Sequence, residues 1–188
     1  AENELQVTYH FEIPGLSAFD PTWRFPKNNT DPIRWTDNKT LQTIIFGLGM
    51  VELISYWKTA CPPKVIVSAG PLTKAQIRWW KELYYLGLGE FFYTNHIETS
   101  IDAFMELISD GEDFSGEEIP SHASRGCLIP VGGGKDSACT IELLKNSGHP
   151  LKTYILNPRG ATLKTVEAAD ISSRDSIHAR RTLDARML

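Results

Sequence analysis

Residues Cys127–Pro150 read CLIPVGGGKDSACTIELLKNSGHP, and this stretch decides the fold. Leu128-Ile129-Pro130-Val131 is an apolar run of strand length, and Pro130 is its one feature that argues against a central place in a sheet. Gly132-Gly133-Gly134 cannot continue that strand comfortably, but backbone without Cβ atoms can bend sharply and come close to a ligand. Ala138, Ile141 and Leu144 then recur every three residues, which predicts a helix to Asn146 that ends at Gly148, with Asp136 or Ser137 as its cap. Strand, glycines and helix start together make an anion site. The first N–H groups of a helix lack intrahelical acceptors, and the positive end of the helix dipole points the same way. Lys135 adds a point charge and Ser137 a hydroxyl donor. Asp136 is the informative residue, because a carboxylate in an anion cradle is costly unless it caps the helix, positions Mg²⁺, or both.

Outward from the helix, Thr153–Leu156 reads as a second strand. Leu128–Leu156 is then a βαβ unit with parallel strands joined by a right-handed crossover. Asn157-Pro158-Arg159-Gly160 falls at a strand's carboxyl end, where open α/β sheets bind ligands. Asn157 is placed to contact adenine or ribose, or simply to form the Asn-Pro turn. Leu163–Ala169 predicts a short helix and Ser176–Leu183 a third strand.

Spacing decides which phosphate loop this is. A Walker A loop requires Gly five residues before Gly134, where Ile129 stands, and a Ser or Thr after the lysine, where Asp136 stands. A dinucleotide fingerprint requires Gly at position 137, which is Ser. Gly-Gly-Gly-Lys-Asp-Ser instead resembles the Ser-Gly-Gly-x-Asp-Ser loop of the ATP pyrophosphatase (PP-loop) superfamily, with Gly132 in place of the usual Ser. That resemblance implies ATP and Mg²⁺ as cofactors. The candidate ATP contacts are Gly132, Gly133, Gly134, Lys135, Asp136, Ser137 and Asn157, with Asp136 as the candidate metal ligand.

The rest of the chain predicts an N-terminal α/β lobe, residues 1–110, a linker at 111–124 and a partial parallel-sheet nucleotide domain at 125–188. Leu5, Val7, Tyr9, Phe11 and Ile13 alternate as one strand, after which prolines and polar residues predict loop to residue 40. A helix is expected from Leu41 to Ala60, stopped by Cys61-Pro62-Pro63 and weakened by Gly47 and Gly49. Lys64–Ser68 predicts a buried strand, Thr73 caps a helix through Leu86, Glu90–Tyr93 predicts a strand and Ile101–Ser109 a helix. The acidic stretch Asp110–Ser124 predicts the linker.

Composition narrows the function classes. A net charge of −4, from 19 basic and 23 acidic residues, offers no footprint for a long polyanion, so a small molecule is the expected partner rather than nucleic acid. No apolar run approaches the ~18 residues that span a bilayer, and no membrane segment is expected. Cys61, Cys127 and Cys139 are too scattered for a disulfide framework or a paired-cysteine zinc site, so reduced thiols and a cytoplasmic location are expected. The Asn-x-Thr triplets at Asn28 and Asn38 are read as chance.

Several further segments carry a closer resemblance. They are Phe11-Glu12-Ile13-Pro14-Gly15, Gly47–Glu52 with Ser55-Tyr56-Trp57-Lys58, Trp79-Trp80 through Gly87–Tyr93, Pro130–Ser137, Leu156-Asn157-Pro158 and Arg181-Thr182-Leu183-Asp184. Over nearly the whole chain the sequence resembles the ATP-dependent UDP-N-acetylmuramoyl-L-alanyl-L-glutamate epimerases of bacterial peptidoglycan synthesis, in which Gly at the first loop position is expected. The resemblance implies adenylation of the terminal L-glutamate α-carboxylate, epimerisation at Cα, and release of AMP and pyrophosphate. It also implies a longer protein, with later strands of the nucleotide domain beyond this chain. Another AMP-forming PP-loop enzyme (an amidotransferase or a tRNA-modifying enzyme) and a non-catalytic ATP-binding module are the alternatives. The sequence names no base for the Cα proton: His149, His178, Cys127 and Cys139 have suitable chemistry but ordinary structural roles. Arg174, Arg180, Arg181 and Arg186 read as an anion-binding group or a solvated face. The Trp and Tyr residues of the aromatic stretches read as core or as the lining of a uridine or sugar pocket, with core the ordinary role, and Glu52, Lys58 and Glu90, polar residues among them, are the better pocket candidates.

Overall fold

The computed structural model describes residues 4–27, 39–111 and 126–187. It is a mixed α/β chain of nine strands and five α-helices among those residues, divided into two compact units. The expected partition at a single linker gives way to an interleaved one. Residues 1–10 and 20–32 group with 120–188, while residues 11–19 group with 33–119. The expected linker, 111–124, lies almost wholly outside the described residues.

The first unit is built on one five-stranded sheet. Its strands are β1 (Glu4–Thr8), β4 (Thr22–Pro26), β7 (Cys127–Pro130), β8 (Leu151–Leu156) and β9 (Ser176–Arg181), in the order β1-β4-β9-β8-β7. β7, β8 and β9 are parallel, and β4 joins antiparallel to β9 through Trp23 opposite Arg181 and Arg24 opposite Arg180. Helices α4 (Lys135–Lys145) and α5 (Gly160–Ala168) make the two connections between the parallel strands. Ile129, Val131, Ile141, Ile155, Val166 and Ala169 form the core between sheet and helices.

Pro130 fits because β7 pairs only with β8 among the described residues. Cys127 and Val131 donate their N–H groups to β8's side, to Pro150 at 2.9 Å and Tyr154 at 2.8 Å. In a parallel ladder the intervening residue faces away, so the N–H that proline lacks falls on the open edge.

The second unit contains the hairpin β2 (Phe11–Ile13) and β3 (Ser17–Phe19), helices α1 (Lys39–Trp57), α2 (Lys74–Gly87) and α3 (Gly89–Thr94), and the parallel pair β5 (Lys64–Val67) and β6 (Glu106–Ser109). Met50, Leu53, Trp57, Val67, Trp80, Tyr84, Leu88, Phe92, Phe104, Met105 and Leu107 make its core. α2 begins as expected: Thr73 Oγ1 accepts from the Gln76 N–H at 3.2 Å and Gln76 Oε1 from the Thr73 N–H at 2.8 Å.

Four expectations are corrected. Residues 11–26 hold three short strands rather than mostly loop; Pro14, Pro21 and Pro26 masked the alternation that buries Trp23 and Phe19. Glu90–Tyr93 is helical, because Leu88 and Phe92, four apart, both enter the core and no strand pairs with it among the described residues. Ile101–Ser109 ends as β6, not a helix, with Met105 and Leu107 alternating into the core beside β5. α1 has a mean hydropathy of 1.2 over a span long enough to cross a membrane, which the sequence reading missed because Gly47, Gly49 and polar residues interrupt it. Its carboxyl half packs as a core helix, through Met50, Leu53, Tyr56 and Trp57. The three cysteines are free thiols.

One buried polar contact links α2 to α1: the Tyr84 hydroxyl donates to the Met50 carbonyl at 2.5 Å. Burial pushes the Tyr84 phenol above its ordinary value of 10.0. A raised folded-state pKa means that the neutral phenol's contribution is complete below about pH 10 and is lost as pH rises beyond it. Tyr84→Phe should lower unfolding free energy by about 1 kcal/mol in denaturant titration at pH 7 and weaken the alkaline fall in stability.

Candidate functional site

The glycine loop begins where β7 reaches the carboxyl edge of the sheet. Val131 is buried and hydrogen-bonded to β8, whereas Gly132 leaves the ladder and donates its N–H to Ser137 Oγ at 3.0 Å. Gly134 is extended, at φ −99° and ψ −177°, and occupies the cap position of α4 with no side-chain cap. The expected cap at Asp136 or Ser137 is therefore corrected. The helix starts at Lys135, which puts Asp136 second and Ser137 third in its first turn. Ser137 turns back to close the loop on Gly132, and Asp136 is left exposed, without an ion-pair partner among the described residues. Of the two reasons for an acid in this cradle, capping falls away.

Gly133 has φ +82°, and a Cβ there would stand 2.8 Å from the Thr162 nitrogen and 2.9 Å from the Ala161 carbonyl carbon. The loop thus lies directly against the first turn of α5. That turn is fixed by Thr162, 3 % exposed, whose hydroxyl accepts from the Arg159 N–H at 3.0 Å and donates to the Arg159 carbonyl at 2.8 Å. The amino termini of α4 and α5 consequently meet at one glycine. Their N–H groups and dipoles both favour negative charge there.

Asn157 follows β8 on the same edge, with φ +51°. Its N–H donates to Ala179 at 2.9 Å, its Oδ1 accepts from the Arg181 N–H at 2.7 Å, and its Nδ2 donates to the Arg181 carbonyl at 3.0 Å. The side chain continues the β8–β9 ladder one step past the last strand residue. This is the turn-forming role, and a ligand contact would use the second Nδ2–H or the remaining lone pair on Oδ1.

The other sequence candidates are dispersed. Cys127 starts β7 and His149 precedes β8, so both lie at the edge away from the loop. Cys139 is exposed on α4. His178 Nε2 is 2.9 Å from Ser176 Oγ, which receives the buried Thr153 hydroxyl at 2.9 Å. Arg186 donates to the Asp184 carboxylate at 2.8 and 2.7 Å, and holds that carboxyl at about 2. Arg181 lies 5.9 Å from the centre of the Trp23 ring, Arg180 stands opposite Arg24, and Arg174 lies in the 3-10 turn before β9. In the second unit Glu52 is buried at 2 % exposure, while Lys58 and Glu90 are exposed. Trp57, Trp80, Tyr84 and Phe92 are core, whereas Trp79 and Tyr93 are 56 % and 84 % exposed. Sequence reasoning missed Thr162 and Arg24. Nothing marks a threonine that braces a helix start, and Arg24 was hidden in a segment read as loop.

Gly133→Ala should lower stability by at least about 2 kcal/mol in denaturant titration, because positive φ and the clash with α5 act together. Gly134→Ala meets open space and should cost less, by the same measurement.

The whole chain, residues 1–188, matches the family model described as the MurL N-terminal domain. It is similar to proteins named UDP-N-acetyl-alpha-D-muramoyl-L-alanyl-L-glutamate epimerase. The relative from Salinispora tropica is 29 % identical over 150 residues, covering 77 % of this chain and 30 % of the relative. One from a Micromonospora species is 30 % identical over 149 residues, covering 77 % and 31 %. One from Xanthomonas oryzae pv. oryzae is 28 % identical over 102 residues, covering 54 % and 22 %. The chain spans about three-tenths of the length of the first two. No solved structure matches it. On the match over its full length, the chain belongs to the MurL N-terminal domain family.

Proposed function

We propose that this chain carries the ATP site of an enzyme that epimerises the terminal L-glutamate of UDP-N-acetylmuramoyl-L-alanyl-L-glutamate for peptidoglycan synthesis, through an acyl-adenylate. The observation that carries the reading is the convergence of two helix amino termini on Gly133. The names of the relatives supply the acceptor.

A phosphate chain fits the loop. Gly133 leaves no room for a side chain, Gly132 and Gly134 have open space above them, and Lys135 brings a cation to the first turn of α4. Asp136 suits Mg²⁺, which keeps several waters and is typically held by one or two carboxylates together with substrate phosphates. When bound, the metal would neutralise phosphate charge during displacement. Asn157 is a positioning residue in this reading, holding the ends of β8 and β9 at a fixed spacing beside the loop.

Activation of the acceptor explains the need for ATP. Removing the Cα proton beside a free carboxylate would place two negative charges together. Attack of that carboxylate oxygen on the α-phosphorus expels pyrophosphate and leaves an ester-like carbonyl that accepts the carbanion's charge. The proton can then leave one face of Cα and return to the other, and water releases AMP and the D-glutamyl product. A positioned base typically contributes ~10²–10⁴-fold to such a step.

Incubation with ATP, Mg²⁺ and the UDP-linked dipeptide in D₂O should yield substrate-dependent AMP and deuterium at the glutamate Cα. AMP without deuterium would move the reading to another acceptor, and binding of ATP without AMP would leave a non-catalytic module. Asp136→Ala should weaken Mg²⁺-dependent ATP binding by about tenfold in calorimetric titration while leaving the melting temperature nearly unchanged.

A further inference from the structure

The pairing of β4 with β9 sets two arginines directly opposite each other, Arg24 and Arg180. Like charges at opposed positions of an antiparallel ladder destabilise it. Arg24 Nε donates to Gln6 Oε1 at 3.2 Å, which fixes the side chain without neutralising it. Among the described residues neither arginine has an ion-pair partner. Two half-exposed or exposed guanidinium groups are thus held together at a cost to the fold.

Their position explains what that cost serves. Pro130 is in register with Tyr154, and Leu156 with Ala179, so Gly132 stands level with Ala179 and Arg180 lies one residue further along. The pair therefore sits at the same carboxyl rim as the glycine loop, Arg180 two strands and Arg24 three strands from β7, or about 10 and about 14 Å away at ~4.8 Å per strand. Register also puts Arg180 on the face of Thr153 and Ile155, the face that carries α4 and α5. A guanidinium fork matches the oxygens of a carboxylate or a phosphate, and two of them suit a group with several anionic oxygens.

We propose that Arg24 and Arg180 form the oxyanion subsite for the acceptor substrate, separate from the phosphate loop; this rests on reading that loop as the nucleotide site. The acceptor offers two such groups, the glutamate side-chain carboxylate and the diphosphate of the UDP moiety.

Calorimetric titration of the 188-residue chain tests this with ATP·Mg²⁺, with UDP-MurNAc-L-Ala-L-Glu, with its γ-amide analogue and with UDP-free MurNAc-L-Ala-L-Glu. The variant R24Q/R180Q should bind the full acceptor about tenfold or more weakly, bind ATP as before, and melt no lower than the unaltered chain. R180K should recover part of the loss. If the γ-amide erases the difference between variant and unaltered chain, the subsite holds the carboxylate; if removing UDP erases it, the subsite holds the diphosphate. Unchanged acceptor affinity in the double variant overturns the assignment, as do equal losses for ATP and acceptor, a lowered melting temperature, or no acceptor binding by the unaltered chain. Failure of the nucleotide reading would show separately, as absence of ATP binding.

Discussion

The close approach of Gly133 to the first turn of α5 is the constraint on which the candidate site depends. It joins two helices that the sequence separates by a whole strand, and makes their amino termini one electrostatic feature. Only glycine fits there, for two independent reasons: the backbone is left-handed, and the space a Cβ needs is filled by the Thr162 nitrogen and the Ala161 carbonyl carbon. Thr162 and Ser137 brace the two sides with hydroxyl bonds to nearby backbone. The anion cradle is therefore preorganised by packing, before any ligand arrives.

The carboxyl rim extends that logic across the sheet. Asn157 prolongs the β8–β9 ladder with its side chain, and Thr182 ties β9 onward to Thr22 at 2.9 Å. Residues that would otherwise fray at strand ends are held in register with the loop. The N-terminal strands thereby become part of the first unit, and Arg24 reaches the rim from a segment more than a hundred residues upstream of the glycines.

Much of this was legible in the sequence because the signal was local. The strand, glycines and helix of residues 128–146 follow from short-range chemistry, as does the Thr73 cap of α2. What was illegible depends on partners far away in the chain. β4 is a strand because β9 and β1 flank it, although Pro21 and Pro26 argue locally for loop. The aromatic run at residues 91–93 has strand composition and is helical because Phe92 must enter a core built by α1, α2 and β6. The cap of α4 was expected two or three residues too late for a smaller reason, since an extended glycine can start a helix without a side chain.

The interleaving of the two units bears on how the chain reaches its fold during synthesis. β1 and β4 leave the ribosome early, yet Trp23 finds Arg181 only after every residue between them has been made. Until then they form a two-stranded ribbon, which is at best marginally stable in water. Vectorial folding from the amino terminus is thus unavailable to the first unit. Its closure awaits contacts of very large sequence separation, a topology that slows folding and prolongs exposure of unpaired strand edges.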